Sequence, residues 1–107
     1  MAAVALSELN RINQLYKAGY HDAFLDNALR KIVERQIARD ADDLQKIERR
    51  LSEFERQFGL TSDEFWKRYT AGQMGDTADY MEWNAYCKMH QRISSRSKIL
   101  RADPAHE

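Results

Sequence analysis

The fold is decided by residues 22–58, which read DAFLDNALRKIVERQIARDADDLQKIERRLSEFERQF. Apolar residues recur in this stretch at steps of three and four, the spacing that places side chains on one face of a helix. The members of the stripe are Leu25, Leu29, Val33, Ile37, Ala41, Leu44, Ile47, Leu51, Phe54 and Phe58. We therefore predict one helix over residues 22–58, about 50–55 Å long.

The apolar stripe of this helix is wider in its first half than in its second. Ala28, Ile32 and Ala38 broaden it in the first half, whereas residues 44–51 keep a single seam. A wide apolar arc is typical of a helix with two neighbours. Because the chain has 107 residues and few other elements to cover so long a helix, we expect part of it to contact a partner or a second copy.

The segment LTSDEF follows the long helix, which stops at Gly59. Thr61 is a good N-cap, Glu64 stands at the third position of a capping box, and the Leu and Phe of the segment can form a hydrophobic staple. These signals predict a short helix over residues 61–71.

Two further helices are predicted from their caps. Thr77 is the N-cap of a last helix over residues 77–101. Near the start of the chain, Ser7 as N-cap and Gly19 as C-cap predict a short first helix over residues 8–18.

Together these elements predict an all-α fold in a single helical domain of residues 1–107. The two long helices form a coiled-coil-like antiparallel hairpin, with a short capping helix and a short N-terminal helix. Eight of the eleven aromatic residues lie between Phe54 and Tyr86. We therefore expect the main core where the short capping helix packs across the end of the hairpin.

Composition argues against several function classes. The 17 basic residues balance the 17 acidic residues, so the basic excess typical of nucleic-acid-binding domains is missing. No apolar run is long enough to span a membrane or to form a signal peptide, and the single cysteine, Cys87, cannot form an internal disulfide. We expect a cytoplasmic protein that contacts no membrane, with Cys87 as a buried apolar residue.

No group of residues predicts catalysis, a cofactor or a metal. The three histidines belong to no recognisable triad. Cys87 and His90 share a helix face, but two ligands do not complete a zinc site. Asp76, Asp79 and Glu82 have a spacing that could bind a hard cation or a partner. Acidic residues at a helix N-terminus are also favoured by the helix dipole, and we give them that structural role.

The second half of the last helix carries the one local charge excess. Residues 84–102 contain no acidic residue and five basic residues: Lys88, Arg92, Arg96, Lys98 and Arg101. Three interpretations stay open: a solvated helix face, contact with an acidic partner protein, or contact with the phosphate backbone of a nucleic acid.

Three short segments carry a family resemblance: FGLTSDEF at residues 58–65, AGQMGD at residues 71–76 and DYMEW at residues 79–83. Together with the preceding long charged helix, they resemble a family of small helical prokaryotic proteins associated with toxin–antitoxin gene pairs. The resemblance covers about residues 20–100. It implies a non-enzymatic, antitoxin-like protein that binds and neutralises a cognate partner such as a small toxin and helps to repress its own operon.

An amphipathic helix suits this role, because its apolar face can lie in the groove of a partner or form a homodimer. We expect the partner to contact the wide arc of the long helix at Leu25, Leu29, Ile32, Val33 and Ile37. Two alternatives remain. One is a nucleic-acid-binding regulator that uses the five basic residues, and the other is a structural homo-oligomer formed through residues 44–58.

Overall fold

Four helices follow one another in the computed structural model, which describes residues 2–102 and the side chains of residues 4–102. They are α1 (Ala2–Lys17), α2 (Ala23–Phe58), α3 (Ser62–Thr70) and α4 (Ala78–Arg101). Residues 2–102 contain no strand. The predicted all-α fold, with its long-helix hairpin, short capping helix and N-terminal helix, is confirmed.

Helix α1 begins earlier than the sequence predicts. Its described part starts at Ala2, so Ser7 lies inside the helix and is not its N-cap. The physical reason is that alanine and leucine, which are frequent in residues 2–6, are the strongest helix formers, and they carry the helix through one unfavourable serine.

The chain divides into two units, and the boundary between Ile32 and Val33 falls inside α2. The first unit contains α1 and the first turns of α2. The second unit contains the remainder of α2 together with α3 and α4.

In the first unit, a glycine and an aspartate form the turn between the two helices. Gly19 has a φ of +97°, and its N–H donates to the carbonyl oxygen of Tyr16 at 3.0 Å, which closes α1. The Asp22 carboxylate then accepts from the backbone N–H of Leu25 at 3.0 Å, so Asp22 is the N-cap of α2.

In the second unit, α3 and α4 begin at the predicted caps. The Thr61 hydroxyl accepts from the backbone N–H of Glu64 at 3.2 Å, and the Thr77 hydroxyl accepts from that of Tyr80 at 3.2 Å. The second half of the capping box is replaced by another contact, because the Glu64 carboxylate accepts from Nε of Arg68 at 3.0 Å. Glu64, which the sequence pattern assigns to the capping box, therefore forms an ion pair with Arg68 one turn further along the helix.

The core of the second unit is an aromatic cluster around Trp83, whose side chain is 0% exposed. Its ring centroid lies 3.9 Å from that of Phe65 and 5.5 Å from that of Phe54, in stacked orientations. Its Nε1–H donates to the Ser62 hydroxyl at 3.0 Å. Partly buried side chains surround this cluster: Leu51, Phe58, Leu60, Trp66, Tyr69, Met74, Tyr80 and Tyr86. The core therefore lies where α3 packs across α2 and α4, as predicted.

Within the second unit, α2 and α4 run antiparallel. Trp83 near the start of α4 stacks on Phe54 near the end of α2. His90 Nε2 lies 3.1 Å from the Glu48 carboxylate, and further along α4 Arg96 pairs with Asp40 of α2. Beyond the aromatic cluster, few residues of the hairpin are buried. They are Asp40 and Ile47 of α2 and Ser97 of α4.

Candidate functional site

Within residues 4–32, the part of the first unit whose side chains the structure describes, no side chain is buried. Seven large apolar side chains in this range are more than two-fifths exposed, and we call them the N-terminal apolar set: Val4, Leu6, Leu9, Leu15, Tyr20, Phe24 and Ile32. A unit that exposes these side chains and buries none within residues 4–32 is a candidate surface for another molecule to cover.

The five residues predicted to bind a partner are all at least partly exposed. In the first unit, Leu25 and Leu29 are partly buried, whereas Ile32 is 64% exposed. In the second unit, Val33 is 39% exposed and Ile37 is partly buried. Of these five, Ile32 offers the largest exposed fraction for a partner contact.

Sequence reasoning missed the first residues of the N-terminal apolar set. Val4 and Leu6 lie in the part of α1 that precedes Ser7, the predicted cap. Phe24, the most exposed member at 76%, lies at the edge of the predicted arc and outside the predicted contact residues. The feature of the sequence that could have identified Phe24 is its position as the second residue of α2.

A short hydrogen bond joins the two helices of the first unit. The Tyr16 hydroxyl donates to the Asp26 carboxylate at 2.6 Å. This hydrogen bond, with smaller effects of burial and of the nearby carboxylates, raises the pKa of Tyr16 to about 12. Tyr16 therefore stays protonated at neutral pH and acts as a donor that holds α1 against the start of α2.

The basic residues of α4 have different surroundings. Lys88 and Arg92 lie together on a shallow surface with Gln91 and Ser95. Arg101 donates from Nε to the Ser97 hydroxyl at 3.1 Å. By helical periodicity Lys98 and Arg101 lie on another side of α4 from Lys88 and Arg92, so the five basic residues do not form one continuous patch.

Arg96 is engaged within the chain, which the sequence did not predict. Its Nη2 and Nε donate to the two carboxylate oxygens of Asp40 at 2.6 and 3.2 Å, and Gln36 donates to the same carboxylate at 3.0 Å. Asp40 is 0% exposed. The hydrogen bond from Arg96 holds the pKa of Asp40 below its usual range although burial acts in the opposite direction, and it raises the pKa of Arg96. In this bidentate pair the Arg96 guanidinium already has a carboxylate partner within the chain.

The Asp40–Arg96 pair predicts a specific loss of stability in acid. Because the pKa of Asp40 is lower in the folded than in the unfolded chain, its contribution is complete above the unfolded value of about 3.9 and disappears as the pH falls through the folded value. We expect the difference in unfolding free energy between wild type and Asp40→Asn to be large at neutral pH and to shrink towards zero in acid. Urea denaturation at a series of pH values measures this difference.

The matched control for that experiment is Asp42→Asn, on the same helix. Asp42 is 60% exposed and pairs with Lys46 at 3.1 Å. Exposed pairs contribute little to stability, so this variant should resemble wild type at neutral pH. A wild-type to Asp40→Asn difference that stays constant with pH would contradict the role given to the carboxylate.

The acidic residues at the start of α4 each have a separate partner. Asp79 accepts from Gln57 at 3.5 Å, and Glu82 accepts from Arg50 at 3.0 Å. Asp76 accepts from the Tyr69 hydroxyl at 3.5 Å. Residues 2–102 contain no group of three His, Cys, Asp or Glu side chains that could hold a metal ion.

Cys87 lies in the core of the second unit and is 7% exposed. Burial, followed by the nearby carboxylates of Asp63 and Glu55, raises the pKa of its thiol to about 11. The thiol is therefore protonated at neutral pH and is a poor nucleophile. The prediction of a buried apolar cysteine is confirmed.

No helix within residues 2–102 combines the length and the apolar content that a membrane crossing requires. Comparisons of the chain with protein-family models, with curated proteins and with solved structures returned no match in any of the three. The resemblance to proteins associated with toxin–antitoxin gene pairs, and the function it implies, therefore stay predictions.

Proposed function

We propose that this chain is a non-enzymatic helical interaction module, antitoxin-like in action, that binds and neutralises a cognate protein partner. The observation that carries the proposal is the exposure of the N-terminal apolar set in a unit where none of the side chains of residues 4–32 is buried. Phe24 and Ile32, the members of the set that lie in α2, are 76% and 64% exposed and offer apolar area for a partner to cover.

Physical reasons support a partner for this unit. A helical hairpin that buries no side chain gains little from the hydrophobic effect, whereas ordering each residue costs about 1–2 kcal/mol of backbone entropy. Covering a large apolar side chain is worth roughly 1.5–3 kcal/mol. A partner that covers several members of the N-terminal apolar set would supply the apolar burial that this unit lacks.

Co-expression with the product of the neighbouring reading frame tests the proposal. If that product arrests growth, this chain is expected to restore growth and to co-purify with it as a stable complex. A chain that neither rescues growth nor forms a complex would refute the antitoxin-like role.

The nucleic-acid alternative receives less support from the geometry. Arg96 is bound to Asp40, the remaining basic residues lie on different sides of α4, and the net charge is zero. Binding to DNA or RNA at low salt that weakens on neutralising Lys88 and Arg92 would favour it. The homo-oligomer is a separate proposal, because it uses a different surface of the chain.

A further inference from the structure

A groove runs between α2 and α4 in the second unit, with a volume of about 520 Å³. Its apolar lining comes from both helices: Ile47 of α2 and Tyr86, Met89 and Ile93 of α4. Its charged rim comes from α2 alone: Asp43, Lys46, Arg49, Arg50 and Glu53. An apolar floor with charged edges is the arrangement that accepts another amphipathic helix.

The charges of α2 around this groove have an internal symmetry. Residues equally distant from Lys46 carry opposite charges: Arg39 with Glu53, Asp42 with Arg50, and Asp43 with Arg49. At these three pairs, the charges of the segment are complementary to those of a second copy that runs in the opposite direction. Two copies of it laid antiparallel would place the acidic residue of each of these three pairs opposite the basic one, whereas two parallel copies in the same alignment would place like charges together.

Helical periodicity brings the central charges to the groove. Steps of three and four residues place Arg39, Asp43, Lys46, Arg50 and Glu53 on one face of α2. The last four of these residues are among those that line the groove. A helix seated there would meet this face of α2 and the apolar side chains of α4 together.

Some charged residues on the rim of the groove have an ion-pair partner within the chain, and others do not. Lys46 pairs with Asp42 at 3.1 Å, and Arg50 pairs with Glu53 at 2.7 Å. Within residues 4–102, Asp43 and Arg49 take part in no ion pair. A second copy would supply the missing partners, while the intrachain pair of Lys46 offsets the repulsion between two lysines at the centre.

From this complementarity we propose that the occupant of the groove is a second copy of this chain. The two α2 helices lie antiparallel about a two-fold axis near Lys46, so that Asp43 of each copy faces Arg49 of the other. Such an interface is isologous, because both copies contribute the same surface. The dimer uses residues of the second unit, whereas the proposed partner contact uses the N-terminal apolar set of the first unit.

Sedimentation equilibrium of the full chain, with variants that reverse or exchange the charges at positions 43 and 49, tests the proposal. Wild type is expected to have twice the chain mass of 12.6 kDa in the micromolar range. Asp43→Arg or Arg49→Asp alone places like charges opposite each other twice per dimer, and each should raise the dissociation constant about tenfold or more. The double variant Asp43→Arg/Arg49→Asp exchanges the charges and should restore dimerisation.

Two control variants establish that the effect is specific to this interface. Lys88→Glu reverses a charge on the outer side of α4 and should leave the dimer intact, as should Phe24→Asp in the first unit. Circular dichroism checks that each variant is folded. If a single charge reversal unfolds the chain, the oligomeric state of the double variant tests the proposal instead. A monomeric wild type, a dimer indifferent to the single reversals, or a monomeric but folded double variant would overturn the proposal.

Discussion

Replacing Trp83 by alanine is expected to lower the unfolding free energy of the second unit by about 3–5 kcal/mol. Trp83 is 0% exposed and stacks on the rings of Phe54, Phe58 and Phe65. Its removal leaves a cavity between three helices and deprives the Ser62 hydroxyl of its donor. Since a small domain has a total stability of about 5–15 kcal/mol, this one change should consume a large part of it.

Urea denaturation followed by far-ultraviolet circular dichroism measures the effect of Trp83→Ala. The matched control is Met81→Ala on the same helix, where the side chain is 56% exposed. The control should change the unfolding free energy by about 0.5 kcal/mol or less. Equal losses in the two variants would contradict the central position of Trp83 in the core.

Placing aspartate at both Phe24 and Ile32 is expected to weaken partner binding about 100-fold or more, without a comparable loss of stability. Both side chains are largely exposed in the free chain, so they contribute little to its packing. In the complex, however, the change would bury two carboxylates where apolar contacts are expected, and burying an unpaired charge is costly. A titration of the purified partner with wild type and with the double variant gives the two dissociation constants.

The matched control for this binding experiment is Lys31→Asp. Lys31 is exposed on the same helix, and its replacement introduces the same acidic side chain without removing an apolar contact. It should bind the partner within a few-fold of wild type. If the Phe24 and Ile32 variant also bound normally, the partner would have to contact another part of the chain, and the role given to the N-terminal apolar set would be wrong.

The local signals in the sequence predicted most of the helix boundaries. The N-caps Thr61 and Thr77 each act on a backbone N–H three residues away, so the pattern that identifies them lies within one turn. The start of α1 is the exception. A serine can be a cap or an interior helical residue, and the helix formers that precede Ser7 decided the outcome.

The long-range contacts were less accessible to sequence reasoning. Asp40 and Arg96 are 56 positions apart, and a local pattern describes each of them only through its neighbours in sequence. Asp40 lies among exposed charges of α2, and Arg96 lies in a basic stretch of α4. Only the antiparallel arrangement of the two helices brings them together. The exposure of Ile32 was accessible to sequence reasoning, because this residue lies in an apolar arc wider than one neighbouring helix covers; its contact with a partner stays a prediction.

The pair between buried Asp40 and the half-exposed Arg96 also has a consequence for how α2 and α4 can slide along each other. Beyond the aromatic cluster the groove between the two helices is lined by Ile47, Met89 and Ile93, apolar side chains that could exchange neighbours after a shift of one turn at little cost. The same shift would leave the Asp40 carboxylate buried without its guanidinium, and an unpaired buried charge is strongly unfavourable. The pair thus penalises every alignment of the hairpin but one.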